Sequence, residues 1–318
     1  MMSKKKKSVL LINLEYYIAL PLIKIIQILP LSVLYFISAI LGRSFYLISS
    51  KHRNRTIQHL LHAAIVKNHA EAVVMAKAVF ANMGKLTVEL FKLNKVITPD
   101  NYQDYLTITG SDKAKEMFFQ KGKERQIIIA TAHYGNWEVL GKVFKEIFGR
   151  HVTALMRLFD NPRLGKFIYD ARDGKDSSTM VAKQGGIRAL IKALKNDQSV
   201  CLLIDQHAGR ESGIETTFFG QPARTHTSPA LLHLKTGVPI LPFVSRRIDN
   251  KGHFEIVCKD PIEYTATNDK DADVQAISQQ ITTALEELIR ECPEQWIWCH
   301  RRWLNINRKG YKPQSTTV

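Results

Sequence analysis

His133 and Glu138 stand five positions apart in the segment Thr131-Ala132-His133-Tyr134-Gly135-Asn136-Trp137-Glu138-Val139-Leu140. An imidazole takes a proton from a hydroxyl near neutral pH, and a nearby carboxylate aims the ring and stabilises the cation that forms. The pair reads as a general base with its orienter. In a chain with 11 His and 29 Asp/Glu that spacing alone carries no information; the flanks do. A β-branched run, residues 126–132, ends just before the histidine. Tyr134 and Gly135 make a turn, and Asn136 is suited to cap a helix starting at Trp137. A carboxylate in that helix's first turn is held ionised by the exposed amides. Open α/β sheets place their chemistry at such junctions.

Other candidates follow strand-like runs. Arg157 comes after residues 152–156 and Asp205 after residues 200–204. If those strands run parallel to the one before His133, all three residues face one sheet edge. A guanidinium suits phosphate because it offers two parallel hydrogen bonds. Asp205 has two readings, binding a sugar hydroxyl or fixing Arg157. Arg224, with Thr225 and Thr227, is a candidate for polar headgroup atoms, and Asn136 for substrate contact. Residues 218–223 read as a loop that packs aromatics beside the site. His207, His226, His233 and His300 have no metal-ligand spacing and read as ordinary core or surface partners. Trp296, Trp298 and Trp303 read as core. No glycine-rich phosphate loop or G-x-S-x-G elbow occurs, so neither metal nor cofactor is expected.

The elements that must hold these residues alternate from residue 105 onward. Strand-like runs occupy 106–109, 126–132, 152–156, 179–181, 200–204, 239–245 and 254–258. Helical periodicity occupies 113–119, 137–148, 162–170, 186–194, 228–235 and 271–290. This predicts an α/β fold, a mixed, largely parallel sheet with helices on both faces. Residues 51–95 are helical in pattern. Ahead of them residues 8–50 carry only Glu15, Lys24 and Arg43 as charges, and residues 25–42 carry none. Eighteen uncharged positions reach the lower limit for a membrane-crossing helix, although Pro30 interrupts them. The expected organisation is a membrane-anchoring hydrophobic segment (1–50), an α/β domain (51–307) and a loose basic tail (308–318).

The net charge of +16 sits largely at the ends. The first 60 residues hold nine Lys/Arg against Glu15, and the last 18 hold five with no acid. Anionic lipid is a better partner than nucleic acid, because the basic N-terminal residues bracket an apolar stretch. The four cysteines have no zinc spacing and read as free thiols.

Residues 133–138 resemble the H-x4-D/E motif of the glycerolipid acyltransferase superfamily, and the form HYGNWE is similar to its late (secondary) lipid A acyltransferase branch, which adds lauroyl, myristoyl or similar chains. Six further segments are similar to that branch, in its order and approximate spacing: Ile108-Thr109-Gly110, Met156-Arg157, Ile204-Asp205-Gln206, Phe218-Phe219-Gly220-Gln221-Pro222-Ala223, Thr236-Gly237-Val238-Pro239-Ile240, and residues 293–303. The resemblance spans residues 35–303. Leu158, Ile204 and Cys292 depart from residues common in the family.

The resemblance implies transfer of an acyl chain from an acyl carrier protein thioester to a 3-hydroxyl on a lipid A precursor. His133 would act as base and Glu138 as orienter, without metal or covalent intermediate. It also implies a place in the bacterial inner membrane, catalytic domain toward the cytoplasm, among membrane lipids. An acidic carrier suits so basic a chain. One alternative keeps the chemistry and changes the acceptor to another glycolipid or a lysophospholipid, with a coenzyme A donor. A more distant one is a non-enzymatic lipid carrier or nucleic-acid binder.

Overall fold

Residues 126–132 are apolar on both faces, as a strand buried from both sides must be, and in the computed structural model they form the middle of a sheet. The structure describes residues 8–119, 126–138, 151–156, 160–173, 180–182 and 186–304. In chain order the described elements begin with helices α1 (Val9–Ile28), α2 (Leu31–Ile48), α3 (Ser50–His62), α4 (His69–Val96) and α5 (Tyr102–Tyr105). Then come β1 (Leu106–Thr109), α6 (Asp112–Phe119), β2 (Ile128–Thr131), β3 (Val152–Met156), α7 (Pro162–Asp173), β4 (Met180–Ala182), α8 (Gly186–Lys195) and β5 (Ser199–Leu203). The chain continues through β6 (Gly213–Phe218), β7 (Gln221–His226), α9 (Ser228–Thr236), β8 (Ile240–Arg247), β9 (Phe254–Cys258) and α10 (Lys270–Glu291).

Seven strands make one sheet in the order β1-β9-β8-β2-β5-β3-β4. Every neighbouring pair is parallel except β8 with β9. The expected mixed, largely parallel sheet is therefore present. Ile128, Ala130, Val200 and Leu202 face one core, packed with α4, α9 and α10. Ile127, Ile129, Leu241 and Phe243 face the other, with the end of α4 and Ala114 of α6. Helices cover both faces.

Two expectations are refined. Residues 218–223 form the turn of an antiparallel hairpin, β6 with β7, and their Phe218 and Phe219 rings pack against Trp296. Phe219 (φ 54°) and Gly220 (φ 69°) both occupy the left-handed region, the backbone of a two-residue turn whose twist matches its strands. The uncharged window 25–42 is not one helix. Pro30 stands at its N-terminal boundary with extended ψ, since proline removes a donor and restricts the residue before it. Two helices result, α1 and α2, each long and apolar enough to cross a membrane by length and composition, with 6% and 28% of their windows buried.

Both pack on the α/β unit. In α1, Ile12 O and Glu15 Oε2 each accept from Asn161 Nδ2 at 2.9 Å. Arg163 of α7 donates to Asn13 Oδ1 at 2.7 Å and lies 4.3 Å from the Tyr16 ring centre. Leu10, Leu14, Ile18 and Leu22 stay exposed. α2 crosses α4 closely: a Cβ on Gly42 would stand 2.2 Å from Phe80 O, and one on Gly84 2.1 Å from Ser38 O.

A buried ion pair fastens this helical layer to the sheet. Glu89 of α4 meets Arg247 at the end of β8, through Nε and, at 2.7 Å, through Nη2. Glu89 also accepts from Tyr35 Oη of α2 at 2.8 Å and from Asn136 Nδ2 at 3.0 Å. Residues 308–318, expected as a tail, lie outside the described residues.

Candidate active site

The segment after β2 is held on two sides by backbone. Ile297 N donates to His133 O at 3.1 Å, Gly135 N to Gln295 O at 3.0 Å, and Asn136 N to Ser245 O at 3.2 Å. Gly135 has φ +53°, and a Cβ there would stand 1.8 Å from Ser245 O. That neighbour is main chain, so the turn itself must move. Gly135→Ala is expected to cost at least ~1–2 kcal/mol through left-handed strain alone and to lower the rate by displacing His133. Unchanged Tm and kcat would show that the turn has room.

β2 and β5 are adjacent and parallel, so the residues past their carboxyl ends meet. Asp205 Oδ1 lies 2.8 Å from His133 Nδ1, and Asp205 Oδ2 accepts from His133 N at 3.0 Å and from Trp296 Nε1 at 2.8 Å. Burial opposes charge on Asp205, but the neighbouring His133 and its hydrogen bonds, helped by His300 and Trp296, hold the carboxyl well below the usual carboxylate range. An ionised carboxylate only accepts, so its partner Nδ1 carries the proton and Nε2 keeps a lone pair. Nε2 lies 3.4 Å from Gln206 Nε2, which is 3.1 Å from His300 Nδ1. The His133 ring meets those of Trp137 and His300 edge-on, at 4.9 and 4.7 Å. Burial, with the charge of His133 adding, pushes His300 down to about 4.

The structure places several of the expected candidates. Asp205 is buried, its two oxygens bonded to His133 and Trp296, so it holds Nδ1, a role not signalled in the sequence. Glu138 sits half-buried in the first helical turn, its N–H donating to Asn136 Oδ1 at 3.0 Å. Asn136 is thus the expected cap. It is also buried, with Nδ2 donating to Glu89. Arg224 lies on β7 and donates to Arg210 O at 3.0 Å and to Gly213 O, tying down the loop before β6. Arg157 lies outside the described residues. Gln206, His300 and Trp296 were not expected in the site. Residues 204–206 and 293–303 signalled them only as motifs, with no chemistry attached.

His133, Asp205 and His300 have potential metal-ligating atoms within 4.8 Å of one another. With both Asp205 oxygens occupied by protein donors, the hydrogen bonds run from Asp205 through His133 to Gln206, which reaches His300.

Beside His300 and Gln206 opens a cleft of about 660 Å³ lined by Phe45, His52, Arg55, Met83, His207, Cys299, Arg301 and Leu304. The base therefore stands behind Gln206 and His300, which line a space large enough for part of a lipid.

Comparison with known proteins gives this arrangement its context. At 27% identity over 180 residues, covering 56% of this chain and 54% of the relative, the chain is similar to a phosphatidylinositol mannoside acyltransferase of Mycobacterium tuberculosis. It is 25% identical over 202 residues, 62% of this chain and 61% of the relative, to a lipid A biosynthesis lauroyltransferase of Escherichia coli K12. A lipid A biosynthesis palmitoleoyltransferase of the same organism is 22% identical over 208 residues, 64% of each chain. The chain thus spans between half and two thirds of the length of these curated relatives. The family described as bacterial lipid A biosynthesis acyltransferase matches residues 1–305, nearly the whole chain, and this protein belongs to it.

Proposed function

We propose that this protein is an O-acyltransferase that moves a fatty acyl chain from an acyl carrier protein thioester to a hydroxyl of a lipid A precursor. The observation that carries the reading is the His133–Asp205 bond, with Nε2 of the ring left on the cleft side. His133 Nε2 removes the hydroxyl proton, and the oxygen attacks the acyl carbon. The tetrahedral oxyanion collapses with cleavage of the carbon–sulfur bond, and the imidazolium returns its proton to the departing thiolate. Asp205 aims the ring and steadies its cation. Glu138 belongs to the same turn and adds negative charge near Cys201, whose thiol burial pushes up to about 12. Arg157, which follows β3 in sequence, is proposed to grip an acceptor phosphate. The exposed apolar faces of α1 and α2 suit a bilayer, and the inner membrane, catalytic domain toward the cytoplasm, is the proposed location.

A second reading keeps this chemistry with another glycolipid as acceptor. It is favoured by the relatives named for phosphatidylinositol mannosides, which match at the higher identities quoted. The purified protein, offered acyl carrier and coenzyme A thioesters with either acceptor, decides between them. Transfer to the lipid A precursor from the carrier supports the first reading; transfer only to another glycolipid supports the second.

Asp205→Asn is expected to lower kcat by about 10² while KM for the acceptor changes little. The amide presents a donor where the ring needs an acceptor, so Nδ1 becomes the acceptor, the proton moves to Nε2 and the lone pair that serves as base is lost. A rise confined to KM would show that Asp205 binds substrate instead.

A further inference from the structure

The cleft beside His133 has a chemical character that the transfer reaction does not require. Two permanent cations, Arg55 of α3 and Arg301, line it with the imidazoles His52, His207 and His300, and no carboxylate is among its lining residues. Arg55 is fixed, donating through Nη1 to Cys299 O at 3.0 Å, which leaves the rest of its fork to a ligand. Arg301 is exposed. Mixed with these cations are Phe45, Met83 and Leu304, of which Phe45 and Leu304 are exposed large apolar side chains. Phe45 belongs to α2, whose outer face also exposes Phe36, Ile40, Leu41 and Ile48. Arg55 thus stands in the helix that follows an apolar one, seven residues beyond the end of α2, where a cation can reach lipid headgroups when such a helix is in a bilayer.

Resting on the proposed function, we infer that this cleft, centred on Arg55 and Arg301, binds a phosphate of the lipid acceptor, other than the one proposed for Arg157, and so presents the acceptor hydroxyl to His133. The apolar side of the cleft takes the adjoining hydrocarbon. Charge complementarity selects an anion, because neither arginine meets an acid across the cleft. Continuity with the apolar face of α2 selects a lipid over a soluble phosphate. The thioester donor's pantetheine arm also carries a phosphate, so the two sources must be separated by experiment.

The probe is dodecyl phosphate, with dodecyl maltoside as the neutral amphiphile and inorganic phosphate as the headless anion. Binding is followed by calorimetry on the full-length protein in neutral detergent. Dodecyl phosphate is expected to bind wild type, and Arg55→Gln and Arg301→Gln each to raise its Kd about tenfold, as losing a hydrogen bond to a charged group does. The double variant should lose more, Arg55→Lys should recover only part, and dodecyl maltoside should bind all variants alike. Inorganic phosphate should displace dodecyl phosphate weakly. Arg301 is exposed, so its variant is expected to melt with wild type and to keep the test valid if Arg55→Gln loses its hold on Cys299.

In the transfer assay dodecyl phosphate should compete with the lipid acceptor. The inference is overturned if the double variant binds dodecyl phosphate as wild type does, if both amphiphiles weaken equally, or if inhibition is competitive against the thioester donor instead. Should the protein transfer nothing to lipid A precursors, the proposed function falls while the isotherms still decide the cleft. Normal transfer with unchanged isotherms in the double variant sinks the cleft alone.

Discussion

His133→Ala yields a folded protein whose acyl transfer is slower by about 10²–10⁴. Among the described residues the ring meets Asp205 through Nδ1 and Gln206 through Nε2, and the backbone bonds survive the substitution. Its side chain is partly exposed, at 20%, so truncation leaves no sealed cavity. Binding of the acceptor should persist, because the cleft residues are untouched; kcat falls and KM does not. The measurement is steady-state transfer by the purified variant beside a melting curve. Turnover within a few-fold of wild type, in a protein that melts with wild type, would remove general-base catalysis by His133 from consideration. Collapse of the melting curve would instead make His133 a structural link between β2 and β5.

What could be read from the chain divides along a physical line. β2 was legible because a strand buried on both faces needs an unbroken apolar run, and residues 126–132 supply one. The cap that opens the next helix was legible because Asn136 is a good cap whatever surrounds it; residues 139–148 of the expected helix lie outside the described residues. The hairpin β6–β7 was not. Its turn places Phe219 where glycine or asparagine is usual, and Pro222 within a strand argues against one. This strand has no place in the main sheet, so its missing donor costs little. The partner of His133 was also hidden. Glu138 is near in sequence, while Asp205 is 72 residues away and becomes a neighbour only because β5 lies beside β2. Strand order is a property of the packed sheet, and no local pattern in either strand encodes it. The same holds for Arg55, which meets Cys299 across 244 positions.

Glu89→Ala is expected to destabilise the protein by about 3–5 kcal/mol, a fall in Tm of roughly 10 °C. Glu89 is buried, as are Arg247, Tyr35 and Asn136, which donate to it. Burial by itself disfavours the Arg247 cation, and Glu89 is what holds it charged. Removing the carboxylate leaves a guanidinium in the interior with only Asn82 Oδ1, at 2.9 Å, among its described side-chain acceptors. Three elements then lose their common anchor: α2 through Tyr35, β8 through Arg247, and the turn below His133 through Asn136. The rate should fall along with stability, because Asn136 caps the helix that follows the base. Glu89→Leu combined with Arg247→Met separates these effects. An apolar pair of similar volume removes the unpaired charge and should recover most of the Tm. It offers nothing to Asn136 Nδ2, so the rate should stay below wild type. A single Glu89→Ala variant that melts with wild type would mean that water or a neighbouring group satisfies Arg247. A double variant that recovers both Tm and rate would show that Asn136 holds the turn without Glu89.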